Sequence, residues 1–151
     1  MRKVIWNILK GLAILFVIAV LLTIFTNTFF FSTPYKAKSA ATKDSYGEMA
    51  TYIAVEMMSC SIGDTTTMGG NLTCSGRTAD SVIAAAVIAT KEDLNPYDMK
   101  NSAVTSGGTN TSDSDVGYIR LSVSGNDIII KTCHTKPCTT MNQNSNTIAF
   151  Q

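Results

Sequence analysis

The sequence predicts an α+β chain: a long N-terminal helix, a loop, a second helix and then a small antiparallel sheet. Three observations carry this expectation. From Gly11 to Thr33 the chain reads GLAILFVIAVLLTIFTNTFFFST, without one charged residue. From Tyr35 to Cys60 apolar residues recur at helical spacing. From Val116 to Thr132 the apolar period changes from helical to two, which is the period of a strand.

The uncharged run comes first. As a helix of roughly 23 residues it would extend about 34 Å, enough to cross a bilayer. Fourteen of its residues are Leu, Ile, Val or Phe, and each favours insertion by about 0.3–0.6 kcal/mol. Lys10 closes the run on one side, Pro34 and Lys36 on the other. The expected organisation is a basic segment or leader at 1–11, a transmembrane helix at 12–34 and an extracytoplasmic domain at 35–151. Arg2, Lys3 and Lys10 precede the run; Lys36, Lys38 and Lys43 follow it, diluted by Asp44 and Glu48. The positive-inside rule then favours a cytoplasmic N-terminus by a small margin, and Trp6 and Tyr35 suit the two interfaces. A cleaved secretory signal is the rival. The run has no A-x-A ending and closes in FFFSTP instead, so a retained anchor is preferred.

Beyond Thr33 the composition turns to Thr, Ser, Asn, Gly and Ala, which implies a thin core in need of staples. Cys60, Cys74, Cys133 and Cys138 supply them. An even count in a small domain beyond a membrane segment indicates disulfides in an oxidising compartment. Of the three pairings possible, nearest neighbours, Cys60–Cys74 and Cys133–Cys138, close short local loops, at roughly 3 and about 2 kcal/mol in the chain-entropy picture. A zinc site including His134 is the rival, and the spacing lacks the CxxC pair such sites use. Net charge is +1, with no Lys/Arg cluster outside the N-terminus, so there is no electrostatic footprint for nucleic acid.

In chain order, Ala37, Ala41, Tyr46, Met49, Ala50, Ile53 and Met57 form the expected buried stripe of the amphipathic half-helix. Gly47 is a point for a kink, and Gly63 a stop. Asp64 to Gly76 is turn-rich and reads as a loop held by Cys74. Thr78 is the expected cap of a second helix, ADSVIAAAVIATKEDL, with Val82, Ile83, Ala86, Val87 and Ala89 on its apolar side and Asn95-Pro96 as its end. Tyr97 to Ser114 reads as loop. Ile119, Leu121 and Val123 then share one strand face, and Tyr118, Arg120 and Ser122 the other. Ser124-Gly125-Asn126-Asp127 is the hairpin turn, Ile128 to Thr132 the return strand, and Thr147 to Phe150 a third strand.

No catalytic constellation is present. The one histidine, His134, sits in the expected Cys133–Cys138 loop, and no glycine-rich phosphate loop follows a strand. The expectation is a non-enzymatic chain without a cofactor. Asp113 and Asp115, with Ser114 between them and Asn110 upstream, form the one acidic group that suits a hard cation such as Ca²⁺, although the EF-hand pattern is absent. A solvated turn before a strand is the competing account. Asn71-Leu72-Thr73 and Asn110-Thr111-Ser112 match the N-glycosylation pattern, which arises by chance in a Thr- and Asn-rich chain.

The order of these parts resembles a bacterial type IV pilin. The resemblance runs from Tyr35 to the end: YKAKSAATK, ATYIAVEMMSC, NLTCSGRTAD, NPYD, SDSDVGYIRLSVSG and IIIKTC, about three quarters of the chain, carried by order rather than by one motif. It implies a fold in which the C-terminal half of a long helix packs on an antiparallel sheet, with a disulfide-closed loop near the C-terminus that Cys133 and Cys138 match. It also implies a leader ending at Gly11, with cleavage before Leu12. Assembly would then be carried by the apolar helix, Leu12, Phe16, Val20 and Phe31 included. Phe16 stands where the family has a glutamate. The implied partners are copies of the chain, the membrane and an assembly machine. A secretion pseudopilin and a single-pass, anchored binding protein are the alternatives.

Overall fold

The computed structural model describes the backbone of residues 2–150 and the side chains of residues 14–23 and 34–150. The fold is α+β. The chain divides into two compact units, Met1–Ala37 and Lys38–Gln151.

The described residues of the first unit are helical and belong to α1 (Arg2–Ser61), with Pro34 inside the helix. The apolar side chains that are described there, from Ile14 to Leu22, are largely exposed; Phe16 is 71% and Val20 39% accessible. The backbone at the expected leader end Gly11–Leu12, at Phe31 and through the expected span 12–34 is helical, but the side chains of Gly11–Leu12, of Phe31 and of residues 24–33 lie outside the described ones, so the leader end and the assembly role placed on them are not described. Among the described residues no helix is long and apolar enough to cross a membrane.

The second unit contains the remainder of α1, which packs one face into a core. Met49, Ile53 and Met57, each four residues from the next, are buried, as is Thr42 further up the same side. The stripe differs from expectation at its start: Ala37 and Ala41 are exposed and Thr42 is buried. Thr42 satisfies its hydroxyl by donating to the Lys38 carbonyl at 2.9 Å, so a polar residue enters the core without an unpaired group. The helix passes through Gly47 without a break. It ends where expected, with Gly63 at φ 113° and Asp64 N–H donating to the Ser59 carbonyl at 3.1 Å.

The turn-rich loop contains a small hairpin, β1 (Thr66–Thr67) with β2 (Leu72–Thr73). It is fastened twice to α1: by the Cys60–Cys74 disulfide, with Cα atoms 5.2 Å apart, and by Met68 N–H donating to the Glu56 carboxylate. Met68 and Leu72 fill the core beneath it.

Helix α2 (Ala79–Ala89) starts at the expected cap. Thr78 accepts from Ser81 N–H at 3.2 Å, and Ser81 Oγ accepts from Thr78 N–H at 2.8 Å, a reciprocal box. Its buried face is Ala79, Val82, Ile83, Ala85 and Ala86, with Val87 half-buried and Ala89 exposed. The helix ends five residues earlier than expected. Leu94 and Asn95 leave it to form β3 (Leu94–Asn95), paired with β4 (Asp98–Ser102). Asn95 is fully buried there, donating to the Val116 carbonyl at 3.2 Å and accepting from Tyr97 N–H at 2.8 Å.

The main sheet has four strands in the order β5–β6–β7–β8: β5 (Val104–Ser106), β6 (Ile119–Ser124), β7 (Asp127–Cys133) and β8 (Gln143–Ile148). β6 and β7 form the expected hairpin, with Ser124 opposite Asp127 and Gly125 at φ 64° in the turn. β5 is a correction. It lies in the stretch expected to be loop and pairs parallel with β6, Val104 beside Ile119. β8 is a second correction: it starts four residues before the expected third strand and ends at Ile148. The sheet turns Val104, Ile119, Leu121, Ile128 and Ile130 towards the same buried cluster as Met49, Ile53 and Met57 of α1 and Val82, Ile83 and Ala86 of α2. Val123 packs at its margin.

Candidate functional site

Two places in the second unit gather polar chemistry. One is the loop closed by Cys133 and Cys138, whose Cα atoms are 5.8 Å apart. The other is a groove between the two helices and the sheet.

At the disulfide loop the sequence-predicted carboxylates are engaged by the protein itself. Asp113 accepts from Cys138 N–H at 2.8 Å and so ties its turn to the loop. Asp115 accepts from Ser112 N–H at 3.1 Å and Ser112 Oγ at 3.0 Å, and pairs with Arg120 Nη2 at 2.8 Å. Burial alone would push the Asp115 carboxyl up; the Ser112 backbone, the Arg120 guanidinium and the Ser112 hydroxyl outweigh it and hold it below the usual carboxylate range. Arg120 also donates to Thr105 Oγ1 at 2.8 Å and lies 4.8 Å from the Tyr118 ring centre. Among the described residues no three His, Cys, Asp or Glu gather as metal ligands. The arrangement knits the turn at 112–115, β6 and the loop into one piece. Of the two glycosylation patterns, Asn110 is fully buried, whereas Asn71 is exposed and donates to the Met68 carbonyl at 2.7 Å.

His134 sits inside this assembly, only 7% accessible. Its Nδ1 is 3.3 Å from Ser39 Oγ on α1, its N–H donates to the Asn142 carbonyl at 3.0 Å, and its carbonyl accepts from the Tyr97 hydroxyl at 2.8 Å. Burial, and secondarily the charge of Lys43, lower its pKa below the ordinary 6.5. The native fold therefore disfavours the imidazolium. Stability is fully present above pH 6.5 and falls as the pH drops below it, because the unfolded chain binds the proton more readily. Urea unfolding between pH 7.5 and 5 should show this slope in the wild type and a flatter profile in His134→Gln. Equal slopes would mean that His134 does not titrate against the fold.

The groove holds about 500 Å³ and is lined by α1 (Ser45, Glu48, Met49, Tyr52), the end of α2 with its following turn (Ala89, Thr90, Asp93), Leu94 of β3, and Ala103, Val104 and Ile119 of the sheet. Met49, Ala103, Val104 and Ile119 are buried and make an apolar floor; Glu48 and Asp93 are exposed at the rim. Among the described residues neither carboxylate has an ion-pair partner. The sequence alone did not single out this site. Glu48 enters the sequence pattern only as a charge diluting the lysines after the apolar run, and Asp93 lies in the stretch expected to continue the second helix, which ends at Ala89. An acidic residue one position before the buried Met49 was the available signal.

No family model, curated protein or solved structure matches the chain.

Proposed function

We propose that the chain is a structural subunit of a type IV pilus-like filament, held in the inner membrane before assembly with its N-terminus in the cytoplasm and its second unit outside. The observation that carries this is α1 itself. Its N-terminal part includes the uncharged run Gly11–Thr33, and its C-terminal part gives Met49, Ile53 and Met57 to an α+β core. A helix apolar on all sides demands a surrounding of lipid or other helices, while the one-faced part anchors a folded cargo. The order of segments that resembles pilins, and the two disulfides suited to an oxidising compartment, support the same role. Partners are further copies and an assembly machine.

A second account, a single-pass anchored binding protein, is favoured by Phe16. It stands where pilins carry a glutamate that pairs with a neighbouring subunit's amino terminus during assembly, and a phenylalanine cannot form that pair. The intact mass of the protein from membranes of a cell with a prepilin peptidase separates the two. A mass starting at Leu12 supports the filament subunit. A full-length mass supports the permanent anchor.

A further inference from the structure

We propose that His134 is an acid-released latch: its protonation frees the disulfide loop Cys133–Cys138 from α1 while the rest of the second unit stays folded. The latch works in a fibre and in an anchored monomer alike. It is a local opening, distinct from the unfolding of the whole unit.

The seam between this loop and α1 is polar. Above Met49 the inward side chains of α1 lose their apolar character: Tyr46 is half-buried, Thr42 bonds to its own helix, and Ser39 reaches His134 Nδ1 at 3.3 Å. The Lys38 ammonium lies 5.8 Å from the Tyr97 ring centre, and the Tyr97 hydroxyl donates to the His134 carbonyl. Both ties from α1 therefore lead to His134, one directly and one through Tyr97. The apolar cluster beneath the loop is Val116, Cys133 and Cys138, with Tyr97 packed against it, and among the described residues it includes none from α1. The large cluster that fixes α1 takes up Tyr46, Met49, Ile53 and Met57 instead. A seam with few apolar contacts opens at less cost than the fold as a whole.

The charges around the ring set the direction of the response. α1 brings Lys38, Lys43 and Asp44, all exposed, and the loop brings Lys136. Asp113 accepts from Cys138 N–H at 2.8 Å, and Asp98, next to Tyr97, accepts from the Asn101 side chain. Of these charges Lys43 is the one that bears on His134. Among the described residues no carboxylate pairs with the imidazole. A proton taken up there meets burial and a lysine, without a counter-ion. The Ser39 bond itself survives protonation, because Nδ1–H then donates to Ser39 Oγ. What opens the seam is the cost of a buried charge, which water relieves once the loop lifts.

The test is hydrogen exchange of the full-length protein in detergent at pH 7.5 and 5.0, with labelling times scaled to the intrinsic rate at each pH. The reporters are loop amides: His134 N–H, bound to the Asn142 carbonyl, and Asn142 N–H, bound to the Thr139 carbonyl. The controls are the β6–β7 ladder amides between Leu121 and Ile130. In the wild type, loop protection should fall roughly tenfold at pH 5.0, within what the uptake of one proton allows, while the ladder keeps its protection. His134→Gln, which stays neutral, should hold loop protection at both pH values. Lys43→Gln should lessen the fall, because it removes the charge that opposes the proton. Equal loop protection at both pH values in the wild type overturns the inference. So does a fall of the same size in His134→Gln, or a ladder that loosens along with the loop. If His134→Gln already loosens the loop at pH 7.5, Lys43→Gln decides: a fall smaller than the wild type's upholds the latch, and an unchanged fall overturns it.

Discussion

Gly117→Ala is expected to destabilise the second unit by about 2–5 kcal/mol, combining the cost of a left-handed backbone on an L-residue with that of overpacking. Gly117 has φ 87°, and its N–H donates to the Cys133 carbonyl at 2.8 Å, which fixes that backbone. A Cβ there would run into the Asn95 side-chain oxygen and come within 2.8 Å of Tyr97 Cδ2. Asn95 has no room to yield. It is fully buried and spans from the Val116 carbonyl to Tyr97 N–H, so displacing it would leave buried polar groups unpaired. Urea unfolding of the full-length protein in detergent, followed by circular dichroism, measures the loss. A change below about 0.5 kcal/mol, the range of an indifferent surface substitution, would contradict the packing around Asn95.

Ile53→Ala should cost about 2–5 kcal/mol, the range for removing a large aliphatic side chain from a core that only partly collapses. Ile53 is wholly buried and belongs to the cluster that joins α1, α2 and the sheet. Met58→Ala is the matched control. Met58 is 65% accessible on the same helix, and its loss should stay within about 0.5 kcal/mol. If the two variants unfolded alike, the buried face of α1 would have been placed on the wrong side.

These two sites differ in how well the sequence announces them. Ile53 was legible: Met49, Ile53 and Met57 recur every four residues, and helix periodicity is the strongest local signal a chain carries. The β6–β7 hairpin was legible for the same reason, with a glycine turn between alternating strands. Asn95 and Gly117 were not, because their meaning lies in a contact between segments 22 residues apart. Val104 to Ser106 is too short to show alternation, and its partner is parallel and reached by a long connection, so only tertiary pairing makes it a strand. Thr42 hid in the core because a polar residue bonded to its own helix mimics an exposed one. At the candidate site, Asp113 and Asp115 stand together in the sequence, but the Cys138 N–H that Asp113 accepts from lies in a segment the sequence does not place beside it, and Arg120 reaches Asp115 from β6. Glu48 and Asp93, separated in sequence, meet at the groove only once α2 has ended and the chain has turned back along the sheet.

The central claim is that many copies assemble through α1 into a surface fibre. Electron microscopy of sheared surface material, from cells expressing the full-length chain with a pilus assembly machine, tests it most directly, using antibody to the second unit. The account predicts thin fibres decorated along their whole length. Antibody confined to the membrane fraction, with fibres undecorated or absent, would contradict it and leave the chain a permanently anchored, non-polymerising protein.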